Sequence, residues 1–140
     1  MIARSLIHHV FLVTVALCIT SCKKQVTLDN LERQHLLGTW NVQWVTKPDP
    51  NQPIPPGINY TMNGKMVFEA ELLTTSAYGY KGCIFGTDTL NHSLRWVLQG
   101  DTLKLYNDGD NFGLPYKIKE VSNNRIQLQL LDDVFLFLSK

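Results

Sequence analysis

The sequence predicts an all-β fold, an antiparallel meander of roughly seven to nine short strands closed into a barrel. Two observations carry this. From Gly38 onward, apolar and polar residues alternate with a period of two in segment after segment, the pattern of strands with one buried face. Tight-turn pairs such as Asn63-Gly64, Gly100-Asp101, Asn123-Asn124 and Asp132-Asp133 separate many of those segments and favour antiparallel neighbours. Closing such a sheet removes its exposed edges.

Residues 1–21 read as an export signal. Arg4 supplies the positive start, the apolar run from Val10 to Ile19 is too short to span a bilayer as a mature helix, and Ser21 is a small residue before a cut. Ile19-Thr20-Ser21-Cys22 resembles the lipobox of bacterial lipoproteins processed by signal peptidase II. That resemblance implies lipidation of Cys22 with acyl chains of the palmitate kind. Each buried methylene contributes about 0.8 kcal/mol, and stable anchoring takes more than one chain, as a lipidated N-terminus provides. Lys23 and Lys24 follow the cysteine with no Asp at the next position, similar to lipoproteins sent on to the outer membrane of Gram-negative bacteria; the periplasmic and surface faces both stay open. Cys18, preceded by Leu17, suits the motif less well. The alternative is an ordinary secretory signal with Cys22 left as a thiol, for which a Cys22 to Cys83 bridge becomes available.

Removing residues 1–21 from the 140 leaves 119, enough for one domain with a real core. Without Arg4, twelve Lys and Arg face twelve Asp and Glu. There is no basic stripe to neutralise phosphates, which argues against nucleic acid as a partner. With Cys22 lipidated, Cys83 is the remaining cysteine and no disulfide framework exists. Stability then rests on packing.

Residues 22–27 read as the lipidated tether, and residues 28–140 as the domain. Leu28, Leu31, Leu36 and Leu37 around Asp29, Glu32 and Arg33 predict a short amphipathic helix over Leu28 to Leu37, capped by Thr27 or Asp29. Trp40, Val42 and Trp44 then share one face of a strand. The segment from Lys47 to Gly57 holds five prolines, so it is neither a helix nor a central strand and reads as a long loop. Asn63-Gly64 is expected to turn the chain into residues 65–80, one bent strand or two joined near Glu71 and Leu72, with Met66, Phe68 and Ala70 on one face.

Further on, Gly79 to Gly86 is irregular. Leu94, Trp96 and Leu98 alternate with polar residues, and after Gly100-Asp101 so do Leu103 and Leu105. A loop at Asn107 to Gly113 leads to Tyr116 and Ile118. The remaining turns introduce Ile126, Leu128 and Leu130, then Val134 to Leu138.

Leu37-Gly38-Thr39-Trp40 after a short helix resembles the Gly-x-Trp signature that opens the first strand of lipocalins. The runs Trp96 to Leu103 and Tyr116 to Leu128 are similar to the repeating hairpins of lipocalin-like bacterial lipoproteins. The resemblance spans roughly residues 36–138. It implies an up-and-down β-barrel of about eight strands, closed at one end by the helix and Trp40 and open at the other to a small apolar ligand; such a barrel is either filled by side chains or holds one small ligand. It also implies a late arginine packed over Trp40 as a structural pair, with Arg125 the first candidate and Arg95 the second. The proline-rich loop corresponds in position to the large first loop over a lipocalin mouth. A Thr-Asp-Tyr motif of the classical lipocalins is not evident.

No arrangement of chemistry-bearing residues identifies a reaction. His35 and His92 lie at ligand spacing from no other His or Cys, so no metal is expected. Cys83 with His92 reads as an inert thiol and a bystander. Asp108-Gly109-Asp110-Asn111-Phe112-Gly113 begins like a calcium loop, but Phe112 takes a ligand position and Lys119 stands where a bidentate Glu is required. Glu69 and Glu71 are expected on one solvated strand face.

Aromatic residues are the stronger candidates. Trp44, Phe68, Tyr78, Tyr80 and Trp96 are expected to line the barrel interior, as an ordinary core or as the wall of a ligand cavity. Tyr60, Tyr106 and Phe112, near loops, could form a patch for a protein partner. The leading expectation is a non-enzymatic, lipid-anchored envelope protein, cofactor-free, that binds or carries a small apolar or amphipathic molecule. The alternative is an accessory or interaction protein of the envelope with a filled barrel and partner-docking loops.

Overall fold

A computed structural model describes residues 25–53, 59–81 and 87–140. The expected signal segment, Cys22 and Cys83 lie outside the described residues, so the expected lipidation site and the alternative bridge are not placed. Eight strands follow two short helical turns: β1 (Gly38–Thr46), β2 (Thr61–Phe68), β3 (Leu72–Tyr78), β4 (Thr89–Gln99), β5 (Thr102–Tyr106), β6 (Leu114–Val121), β7 (Arg125–Leu131) and β8 (Val134–Ser139). Each pairs antiparallel with the next, and β8 returns to β1 to close the barrel.

The register turns the alternation of the sequence into one interior. Trp40 faces Met66, Val42 faces Leu138, and Trp44 lies between Met62 and Leu136. Leu98 meets Leu103 and Leu103 meets Tyr116, while Ile118, Leu128 and Leu136 form a second row. Register shifts between Ile118 and Glu120 and between Gln129 and Leu131 bend the late strands, as bulges do. Gly100, at φ +58, turns β4 into β5.

One end is sealed. Trp40 is 1% exposed and donates its indole N–H to the Leu36 carbonyl at 2.7 Å. Trp96 donates to the Glu69 carbonyl at 3.0 Å and packs edge to face on Phe68, centroids 5.2 Å apart. Arg33 lies over Trp96 and Lys140 over Trp40, at 4.0 and 4.3 Å from the rings.

Four expectations are corrected. The Leu28 to Leu37 helix is instead a 3₁₀ turn, Leu28–Asn30, and a single α-helical turn, α1 (Arg33–Leu36), with extended backbone at Leu31 and Glu32 between them. Leu31 and Leu36 pack inward while Leu28 and Leu37 stay exposed; no continuous apolar stripe is buried, so nothing holds one helix together. His35 stabilises the break, its Nδ1 accepting the Glu32 N–H at 2.9 Å. The packed fold also begins before Leu28. Val26 is buried and its N–H donates to Asn123 Oδ1 at 2.8 Å, so part of the expected tether is docked.

Asn63-Gly64 is no turn. Gly64 sits within β2, where an added Cβ would come within 2.7 Å of the Trp44 ring and closer still to the Ser76 carbonyl; it is a gap for the tryptophan. Residues 65–80 form two strands, and Glu69 and Glu71 lie exposed in the turn joining them, closed by the Glu69 N–H to the Leu72 carbonyl at 2.8 Å. They share no strand face.

Candidate functional site: the open end of the barrel

Inward-facing positions are buried at the sealed end and lose burial toward the other. On β4, Trp96 is buried, Leu94 half-buried and His92 exposed; on β8, Leu138 and Leu136 are buried and Val134 half-buried; on β7, Leu130 is half-buried beyond Leu128. Leu90 faces Ala77 across the sheet and Leu114 faces Leu105, both partners buried, yet the two leucines are 43% and 45% exposed. An inward residue that still meets solvent marks a barrel not filled to its rim. These two leucines and the half-buried Trp44, Met62, Leu94 and Leu130 make up the open end of the barrel, its cup, above the packed core.

The wall has one polar side. Thr75 stands between Met66 and His92 in the register, and its hydroxyl oxygen is shielded from solvent with no hydrogen-bond partner among the described residues. Leaving such a group unmade costs about 1–3 kcal/mol, an expense that an oxygen or nitrogen atom of a ligand would remove. His92 Nε2 lies 2.9 Å from Asn107 Oδ1, and the Asn107 amide donates to Asp110 Oδ2 at 2.7 Å. This chain of polar groups lines the rim. Nearby, Tyr106 lies against Gly113, where a Cβ would come within 2.5 Å of its ring, and Arg95 lies over its ring at 5.4 Å. Among the described residues no cluster of His, Cys, Asp and Glu is placed to hold a metal ion.

The aromatic candidates separate. Trp44 is in the wall, half-buried, its ring over Gly64. Phe68 and Trp96 are inside but belong to the sealed floor. Tyr78 is corrected: it pairs with Asn63 on the outer face and is exposed. The turn at Glu69 to Glu71 sets the parity so that Leu73, Thr75 and Ala77 point inward. Tyr80 lies beyond β3, its hydroxyl donating to the Asn59 carbonyl at 3.0 Å, and does not enter the wall as a strand residue. Arg125 is corrected too. It pairs with Ser139 on the outer face, and the cation over Trp40 is Lys140; Arg95, the second choice, faces Tyr106. Thr75, Leu90 and Leu114 were not legible as wall residues, although placing the turn at Glu69 would have revealed the parity of Thr75.

No curated protein and no solved structure matches the chain. The family pattern of the lipocalin-like domain matches residues 36–128, which runs from the last residue of α1 through β1 to the middle of β7. With that match, the Gly38-x-Trp40 opening and the closed eight-stranded barrel, the chain belongs to the lipocalin-like domain family.

Proposed function

We propose that this protein is a lipid-anchored, non-catalytic envelope protein whose barrel binds a small amphipathic molecule in the cup above Trp44. The observation that carries the reading is the exposure of inward-facing Leu90 and Leu114 beside a sealed core. Apolar walls favour burial of a hydrocarbon portion at about 25 cal/mol per Å², and the unpartnered Thr75 hydroxyl favours a ligand that also carries a polar atom. Binding rests on shape, apolar burial and one or two hydrogen bonds. The anchor is Cys22, supported by the lipobox-like Ile19-Thr20-Ser21-Cys22, with the outer membrane as its address.

Native mass spectrometry of the full chain with palmitate and lysophospholipid tests the pocket. A retained adduct that Leu90→Glu and Leu114→Glu remove, while melting behaviour is kept, supports it. A bare mass with both lipids sinks it. Phe112, 79% exposed on the rim loop, favours a second reading as a partner-docking protein; loss of an envelope complex in Phe112→Ser with the lipid adduct unchanged would select that one.

A further inference from the structure

The outer wall of the barrel carries a groove of about 690 Å³, separate from the cup. Its main row crosses six adjacent strands in register, Tyr78, Asn63, Gln43, Phe137, Gln127 and Glu120. Both rings are open to solvent, Tyr78 at 38% and Phe137 at 39%. Phe137 is held in place by stacking on Phe135, centroids 6.4 Å apart. Between the rings stand carboxamides, with Gln43 donating to Asn63 Oδ1 at 3.1 Å; Asn41 and Ser139 widen the polar floor, and Arg125 at one end offsets Glu120.

We propose that this groove binds a neutral oligosaccharide. Carboxamides offer a donor and an acceptor on one planar group, the pairing that adjacent sugar hydroxyls present. Exposed aromatic faces cover the apolar C–H face of a pyranose ring while its hydroxyls stay wet. Glu120 and Arg125 cancel, so nothing in the groove selects an anion or a cation. Tyr78 and Phe137 are separated by three interstrand steps, about 14 Å along the sheet, which spans more than one sugar ring and favours a chain over a monosaccharide.

The test is saturation-transfer NMR on the full chain with maltotriose, cellotriose and triacetylchitotriose, each beside its monosaccharide. The expected result is transfer to at least one trisaccharide and much less to its monomer. Tyr78→Ala and Phe137→Ala should each abolish it. Gln43→Met, which keeps size and removes the hydrogen bonds, should weaken binding about tenfold, the scale of one net hydrogen bond. Circular dichroism confirms that the variants fold, and Leu90→Glu, in the cup, should leave the sugar signal unchanged. No transfer to any of the three trisaccharides, or transfer indifferent to all three groove variants, overturns the proposal. So does self-association that Phe137→Ala removes in the absence of a sugar signal.

Discussion

Lys140 stands over Trp40, its ammonium 4.3 Å from the ring centroid and donating to the Leu37 carbonyl at 3.2 Å. Lys140 thereby covers the tryptophan at the start of β1 from the far end of β8. Replacing the buried ring, Trp40→Ala, should cost about 3–5 kcal/mol, the range for large aromatic truncations. Lys140→Met should cost about 0.5–1 kcal/mol, as for an exposed cation over a ring. Arg125→Ala should stay within about 0.5 kcal/mol. Urea unfolding of the three variants gives the ranking, and an Arg125 effect equal to that of Trp40 would contradict this pairing.

Gly64 is required by close approach, since a Cβ there meets both the Trp44 ring and the Ser76 backbone. Gly64→Ala should destabilise by about 1–3 kcal/mol or more, as overpacking does. Adding Trp44→Leu should recover part of the loss, because the backbone contact persists. Thermal melts of the single and double variants measure that coupling.

Thr75 offers an unusual pair of signs. Thr75→Val removes a hydroxyl with no partner among the described residues and should raise stability by about 1 kcal/mol, the lower range of the unmet hydrogen-bond cost. Under the proposed function it should also weaken a ligand with a polar head. Unfolding measurements and displacement of a fluorescent fatty acid, made on the same variant, separate the two effects; a loss of stability would mean that the hydroxyl has a partner.

Acid should act on the turn between β4 and β5. The Lys117 side chain, hydrogen-bonded to the Asp101 carboxylate, holds that group below its ordinary value near 3.8, with the Thr102 hydroxyl helping and desolvation opposing. The unfolded chain takes up the proton first. The stabilisation is therefore present above about pH 3.8 and fades as pH falls through the lowered folded value. Asp101→Asn should lower stability slightly at neutral pH, converge with the parent below that window, and show a smaller difference in high salt.

Anchoring is tested at one atom. Cys22→Ser should abolish metabolic labelling with palmitate and release the protein from the membrane fraction. Continued labelling would refute the lipobox reading, and release without loss of label would place the acyl group elsewhere.

The sequence by itself determined the barrel. Period-two alternation from Trp40 to Leu138 names the inward face of most strands, and the pairs Gly100-Asp101, Asn123-Asn124 and Asp132-Asp133 mark their ends, because both signals are local. Where the local signal is silent or overridden, the tertiary structure decided. Asn63-Gly64 has the chemistry of a turn, yet the bulk of Trp44 from the neighbouring strand holds it in β2. Residues 65–80 contain no marked turn, so the parity of β3 was undetermined, and with it whether Tyr78 or Thr75 faces the interior. One residue of register exchanges inside for outside. The cation over Trp40 depends on where the chain after β8 crosses the sealed end, a contact between residues a hundred positions apart. The open end, too, is a tertiary fact: alternation marks an inward face but not how far each strand outruns the packed interior, and that is what leaves Leu90 and Leu114 exposed.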